Sequence, residues 1–281
     1  LDRFDALPKK YYILDVSAEL RLRQQTLVAE HAPHLTGIIE WLEQLPSRFS
    51  GVILANEVLD AMPVHSVVWR DQAIFERGVI WENEHFGWQD RPIRNAKLAA
   101  MATELSSLIN PFNEKSLRYL SEINLNAHFF MRSLAEILQQ GVILLIDYGF
   151  GRAEYYHPQR NQGTLMCHYR HHAHEDPFYL PGLQDITSHV DFSAITEAVE
   201  DTDLQLCGYT TQAHFLINCG ITNILAQVSA EDIHRYLPQA NQLQRLISPA
   251  EMGELFKVIA LVKDVPEPLM GFHGGDMSRM L

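Results

Sequence analysis

Cysteine is scarce. Cys167, Cys207 and Cys219 are the only three in 281 residues, and no two stand as C-x-x-C. An odd, sparse set argues against a disulfide framework and against a thiolate zinc site, and it fits a reducing compartment. Basic residues are also few, with 22 Lys+Arg against 35 Asp+Glu and a net charge of −13. Such a surface repels phosphate backbones, so no nucleic-acid partner is expected, and it suits either a cationic substrate or cofactor or simply solubility. Long apolar runs are missing. A stretch such as residues 141–146 is far too short to cross a bilayer, so no membrane insertion is expected. No G-x-S-x-G, G-x-x-x-x-G-K-[ST] or H-E-x-x-H occurs, which leaves serine hydrolase, P-loop and zincin chemistry unsupported. Glycine does not occur before Gly37. No secretory signal is visible at the start, and the opening "LDRFDALPKK" reads as a helix tail and a loop, as though the chain began inside a domain.

What is present is ordinary globular composition, 47% hydrophobic and 20% charged, which argues against disorder and coiled coil. Three apolar segments share one design. "YYIL" runs into Asp15, "GVILA" into Asn56 and Glu57, and "GVILLI" into Asp147. Continuous apolar runs suit strands buried on both faces, as in a parallel sheet, and ligands of open α/β sheets sit beyond strand carboxyl ends. Three acidic groups there read as a cleft. Ser17 is a candidate N-cap before Leu20, Leu27 and Val28 at helical spacing, and "TGIIEW" at 36–41 is a further strand candidate. Phe130, Leu134, Ile137 and Leu138 form one apolar stripe, with Gly141 as its C-cap. This alternation predicts an α/β fold with a mostly parallel sheet and helices on both faces.

Residues 67–88 differ. Alternation there, with turns expected near Arg70–Asp71 and at Gly78, predicts an inserted antiparallel hairpin. Helices are expected at 97–109 and 116–140, so 65–128 reads as an inserted substrate or lid subdomain within one domain over 1–281. Residues 149–190 read as a long irregular loop. "LQLCGYTTQ" and "KVIALVK" read as two more strands flanking helices over about 212–250.

Several constellations admit two readings each. Asp15 either binds ribose hydroxyls or caps the next helix beside Ser17. Asn56, Glu57 and Asp60 lie within five residues, and on a helical turn Glu57 and Asp60 would share a face. They either clamp a guanidinium and accept a proton, or merely suit a helix N-terminus. His168, His171, His172 and His174 have spacing that can hold Zn or Ni, but Arg170 among them disfavours a cation, and a solvated loop is the preferred reading; no metal is expected. Asp185, Thr187, His189 and Asp191 interrupt an apolar background before a helix. There Asp191 is either its N-cap or, with His189, part of the cleft rim.

Taken in order, "ANEVLDAMPVH", "LIDYGFG", "GTLMCHYRH", "PGLQDITSHVDF", "TQAHFLINCGI" and "MGELFKVIAL" resemble the MidA-type class I methyltransferases. That family includes a mitochondrial complex I assembly factor that methylates an arginine of a complex I subunit. The resemblance runs from about Tyr11 to Leu261. It implies a Rossmann-like class I sheet and S-adenosyl-L-methionine (SAM) as cofactor. It implies that Asp15, beside Ser17, holds the cofactor ribose, that Trp41 and Leu42 after the third strand of that sheet flank the adenine, and that Asn56 and Glu57 adjoin the methionine moiety and substrate. The glycine-rich turn that such enzymes carry after their first strand has no counterpart here. "YYIL" matches the second strand, and the first is expected upstream of Leu1.

The activity this implies is methylation of a protein arginine, with a complex I subunit as a candidate acceptor; the alternative is a non-catalytic assembly or scaffold protein retaining the fold. Glu57 and Asp60 are the first candidates to clamp the guanidinium and take its proton. Asp147, His189 and Asp191 are candidates for orientation or proton removal. The aromatic residues of 67–88 would form a homodimer surface or a lid. The start lacks an Arg- and Ser-rich, acid-poor transit pattern, which points to bacterial cytoplasm, or to the mitochondrial matrix for a eukaryotic source.

Overall fold

The computed structural model describes residues 1–2, 6–110, 118–170 and 172–281. The backbone packs as two compact units, residues 1–49 and 50–281. In the first, β1 (Tyr11–Leu14), α1 (Ala18–His31) and β2 (Ile39–Leu42) form one β-α-β crossover. The strands pair in parallel, with Tyr11 opposite Ile39 and Leu14 opposite Leu42. Ser17 starts α1 as expected, its Oγ accepting the Leu20 amide at 3.2 Å. The apolar stripe expected on α1 is not buried within this unit: the helix has no buried residue. Among the described residues no strand precedes β1.

β3 (Phe49–Asn56) leads into the larger unit. An antiparallel sheet follows, built of β4 (His65–Arg70), β5 (Ala73–Glu82), β6 (His85–Pro92) and β7 (Arg118–Ile123) in the order β6-β5-β4-β7. The helix α2 (Ala96–Ile109) packs against it, burying Leu98, Ala102, Leu105 and Ile109 beside Val67, Trp69 and Tyr119. The Trp69 indole N–H donates to the Ala102 carbonyl at 3.0 Å. Asp71 and Gln72, at φ +52° and +60°, make the expected first turn. The second is at Asn83 and Glu84, φ +51° and +64°, and not at Gly78, which lies inside β5 opposite Gln89. Two consecutive left-handed residues match the twist of a tight hairpin, and asparagine tolerates that conformation.

The helix expected over 116–140 is divided. Residues 116 and 117 lie outside the described residues, 118–123 are β7, and α3 (Leu125–Ile137) begins only after Asn124, whose side chain accepts the Ala127 amide at 2.8 Å. β8 (Leu138–Phe150) starts directly where α3 ends. Gly141 is therefore a strand residue and not a C-cap. At φ +141° it faces the Gly51 backbone so closely that a Cβ would stand 1.8 Å from the Gly51 carbonyl oxygen.

The expected irregular loop after β8 contains α4 (Arg152–Tyr155) and a small antiparallel sheet. Its strands are β9 (Met166–Tyr169), β10 (His172–His174) and β11 (Asp185–Thr187), in the order β10-β9-β11. Next come β12 (Val190–Asp191), α5 (Phe192–Glu197), β13 (Gln205–Thr211), α6 (Gln212–Asn218), α7 (Ile221–Leu225), α8 (Ile233–Ile247), α9 (Met252–Leu255) and β14 (Phe256–Lys263). The main sheet runs β12-β8-β14-β13, with β3 also paired to β8. β14 is buried from Phe256 to Val262, between β8 and β13. It is antiparallel to both, and β12 is parallel to β8. The sheets of the larger unit are thus mixed or antiparallel, while β1 and β2 pair in parallel, so the mostly parallel expectation is not met across the chain. An unbroken apolar run reports burial on both faces and carries no information about strand direction. No helix among the described residues is long and apolar enough to cross a membrane.

The Gly51–Gly141 contact leaves no room for a methyl group. Gly141→Ala is expected to lower stability by about 2–4 kcal/mol through backbone displacement and positive φ. Urea unfolding followed by circular dichroism measures it; an unchanged midpoint would show that the strands can part at no cost.

Candidate active site

In the larger unit, the turn after β3 is fixed from below by one carboxylate. Asp147, near the end of β8, is 1% exposed. Its Oδ2 accepts the amides of Leu59 at 3.0 Å and Asp60 at 3.3 Å, and its Oδ1 accepts the Tyr148 amide at 2.9 Å. The Glu57 amide donates to the Ile146 carbonyl at 2.9 Å, and the Asp60 carbonyl accepts the Ser188 amide at 3.0 Å. Asn124 donates to the Leu59 carbonyl at 3.2 Å. Every residue of the turn from Glu57 to Asp60 except Val58 is tied by its backbone. Glu57 adopts φ +51°, so the turn is not the helical one that would set Glu57 and Asp60 on a common face.

Both nevertheless line one cleft of about 910 Å³, with Asp185, His168, Arg170 and Tyr148 also in its wall. Glu57 is exposed and Asn56 donates to its Oε1 at 3.4 Å. Asp60 is 4% exposed, and its Oδ1 is buried without a hydrogen-bond partner. Burial raises the Asp60 pKa, partly offset by the Tyr148 hydroxyl that donates toward it. Burial, then the neighbouring Asp60 charge, pushes Asp147 up to about 7. His189 borders the same cleft, edge-on to Tyr148 at 5.2 Å between ring centroids. Burial, followed by the Arg160 and Lys257 charges, lowers its imidazole to about 4, and its Nδ1 is also buried without a partner. Unpartnered polar atoms are uncommon in folded interiors.

Asp191 is not brought to this cleft. It caps α5, Oδ1 accepting the amides of Ser193 and Ala194 at 3.1 and 3.2 Å, and its Oδ2 lies 3.6 Å from Arg152 Nε. Burial raises it to about 6. It lines a separate cavity of about 170 Å³ together with Glu122 and Arg152. Glu122, also buried, accepts the Thr164 amide at 2.7 Å and the Thr164 hydroxyl at 2.9 Å. Thr164 Oγ1 in turn accepts the His189 amide at 3.1 Å.

The smaller unit holds Asp15 beyond the end of β1. Its Oδ1 accepts the Ser17 amide at 2.8 Å and its Oδ2 accepts Gln24 Nε2 at 2.9 Å, while Gln24 Oε1 accepts the Trp41 indole N–H at 3.0 Å. Each carboxylate oxygen keeps a lone pair, and the carboxylate is held in one orientation, which fits two vicinal hydroxyls. Trp41 and Leu42 lie within β2 and not after it.

Of the histidine cluster, His168 reaches the cleft, His172 and His174 lie on β10, and His171 lies outside the described residues. Among the described residues no group of three or more His, Cys, Asp or Glu side chains is placed to hold a metal ion. Sequence reasoning missed Tyr148, Gln24, Glu122 and Thr164. Tyr148 follows Asp147 directly and Glu122 is an acid in an apolar strand, so both left a trace; Gln24 and Thr164 left none.

An acidic cleft beyond the ends of β3 and β8, and a carboxylate set for a diol beyond β1, are features of cofactor-dependent transferases on α/β sheets. The chain belongs to the MidA-type family of SAM-dependent methyltransferases: residues 2–210 match the family model described as "Putative S-adenosyl-L-methionine-dependent methyltransferase". The crystal structure of a Burkholderia thailandensis protein bound to S-adenosyl-homocysteine superposes on the whole chain and on 70% of its own, with TM-score 0.92 and 46% identity. Among curated proteins, the Drosophila melanogaster protein arginine methyltransferase NDUFAF7 homolog, mitochondrial, is 29% identical over 82% of this chain and 52% of its own length. The Danio rerio protein arginine methyltransferase NDUFAF7, mitochondrial, is 28% identical over 79% and 49%. The chain spans about half the length of these curated relatives.

Asp147 gives a pH signature. Folded, it keeps its proton up to about 7, whereas the unfolded chain releases it near about 3.9. Between those values the native state binds more protons, so stability falls as pH rises and levels off above. Asp147→Asn is expected to flatten part of that slope in urea melts across about pH 4 to 8. Parallel slopes for variant and wild type would remove Asp147 from the titration.

Proposed function

We propose that this chain carries the methyl-transfer site of a SAM-dependent protein arginine methyltransferase. The observation that supports it most is the cleft in which Glu57, Asp60 and Asp185 meet, with one Asp60 oxygen left unpartnered. A guanidinium is planar, always charged and rich in N–H donors, so it matches such an acceptor set. The names of the curated relatives support an arginine acceptor, and the family resemblance supports a respiratory complex I subunit as the protein that presents it.

When bound, SAM supplies an electrophilic methyl whose carbon–sulfur bond breaks as the new nitrogen–carbon bond forms. Asp15 would hold the ribose hydroxyls, oriented by Ser17 and Gln24, with Trp41 and Leu42 beside the adenine. In the cleft, Glu57 clamps the guanidinium and Asp60 takes the proton that one nitrogen must lose. An arginine nitrogen is a poor nucleophile because its lone pair is delocalised; carboxylates that bind one side of the group polarise it toward the other. Burial strengthens Asp60 as a base. Asp147 acts through the turn that it holds, fixing both carboxylates in position, and positioning of this kind supplies much of the acceleration in a displacement.

A second reading is a non-catalytic assembly or scaffold protein that retains the fold. Titration calorimetry with S-adenosyl-homocysteine and transfer of labelled methyl into protein separate the two. Glu57→Gln is expected to lose about 100-fold or more in transfer with S-adenosyl-homocysteine affinity retained. Asp15→Ala is expected to weaken that affinity first. Unchanged turnover in the former removes Glu57 from the mechanism, and unchanged affinity in the latter removes the ribose role. No binding and no transfer by the wild-type chain would leave the assembly reading standing.

A further inference from the structure

Beside the acidic cleft lies a second concavity of about 390 Å³ with the opposite character. Val79, Phe86 and Trp88 of the β5–β6 hairpin form one wall, and Phe178 and Pro181 of the segment before β11 form another. The rings form a connected set. Phe178 stacks on Phe86 at 5.9 Å between centroids and leans on Trp88 at 4.9 Å. Arg77 is the one charged side chain in the lining, and it is tied to Asp90 by two hydrogen bonds of 2.8 and 3.2 Å. The groove therefore offers no free charge, yet Val79, Phe86 and Trp88 remain 54%, 45% and 41% exposed. Ile186 belongs to the walls of both this groove and the cleft that holds Glu57 and Asp60.

We infer that this groove binds a large apolar side chain of the protein substrate, within about three residues of the arginine that enters the cleft; the inference rests on the function proposed above. A ligand that fills both spaces straddles a single side chain, Ile186. An extended polypeptide advances about 3.3 Å per residue, so neighbouring or near-neighbouring residues of one strand span that distance. The charge pattern assigns the two subsites: the acidic space takes the cation, and the neutral aromatic space takes Leu, Met, Phe or Trp. Affinity then comes from burying an apolar side chain against Trp88 and Phe178, while the chemistry is left to Glu57 and Asp60. Acceptor selection accordingly depends on the residues around the arginine and not on the arginine alone.

The test uses the full chain with saturating S-adenosyl-homocysteine and fluorescein-labelled eleven-residue peptides carrying a central arginine, read by anisotropy. Peptides with Leu or Phe at the flanking positions are expected to bind about 10- to 100-fold tighter than the same peptides with Ser. Trp88→Ala and Val79→Ser, both at exposed positions, are expected to erase that ratio while the S-adenosyl-homocysteine affinity stays at the wild-type value. A wild-type ratio near one overturns the inference. So does a ratio that survives both substitutions, and so does sedimentation showing that Trp88→Ala converts a dimer to a monomer, which would make the groove a subunit interface. Replacing the arginine by citrulline tests the parent reading separately. If binding and the apolar preference both survive that change, the groove stands and the guanidinium cleft falls.

Discussion

Two backbone amides pointing at one buried carboxylate oxygen hold the candidate site together. Asp147 accepts from Leu59 and Asp60, residues that follow β3, while itself belonging to the strand paired with β3. The turn between them cannot be satisfied by sheet pairing, because its amides have left the ladder. Without Asp147 those N–H groups would be buried and unpaired, at a cost of about 1–3 kcal/mol each. Two carboxyl groups, Asp147 and Asp60, are consequently held close in a dry environment, where burial raises both and the Asp60 charge further discourages Asp147 from ionising. The arrangement links the strength of the turn to the basicity of the side chain that the turn presents.

The inserted sheet is part of the same construction. Its last strand carries Glu122, which grips both the amide and the hydroxyl of Thr164, and Thr164 receives the His189 amide. Gly163 makes room for this, since a Cβ there would stand 2.3 Å from Glu122 Oε1. His189 is thus set by a chain of contacts that begins in β7. Its low imidazole pKa, set first by burial and then by two cationic neighbours, keeps it neutral near pH 7. It serves the cleft better as a hydrogen-bonding wall than as a charge.

Much of the architecture was legible because burial leaves a plain trace in sequence. "YYIL", "GVILA", "GVILLI" and "KVIALVK" all proved to be strands or to lie within them, and "LQLCGYTTQ" overruns its strand by one residue at each end. Direction was not legible, since hydrophobic periodicity says how deeply a strand lies and not which way it runs. Gly141 shows a similar ambiguity: glycine after an apolar stripe suits a helix end, but here it answers to a strand crossing too near for any side chain. Among the site residues, acids at strand ends pointed to Asp15, Glu57, Asp60 and Asp147. What was hidden is how differently they are placed, because that depends on burial. Asp60 and Asp147 are buried and Glu57 is exposed, although all three read alike as carboxylates after apolar runs. Asp191 illustrates the converse, a residue whose capping role was visible and whose separation from the cleft was not.

Glu57 occupies a left-handed backbone conformation that costs a non-glycine residue about 1–2 kcal/mol. Glycine would sit there without strain, so the fold by itself has a standing preference against the side chain that the proposed function assigns to the cleft. A population of variants propagated for thermal resistance alone should drift toward glycine at this position and, under the proposed function, become sturdier and inert together. Selection that tracks turnover should hold the glutamate against that pull. The identity of one residue would then record which of the two demands, endurance or chemistry, had been made of the molecule.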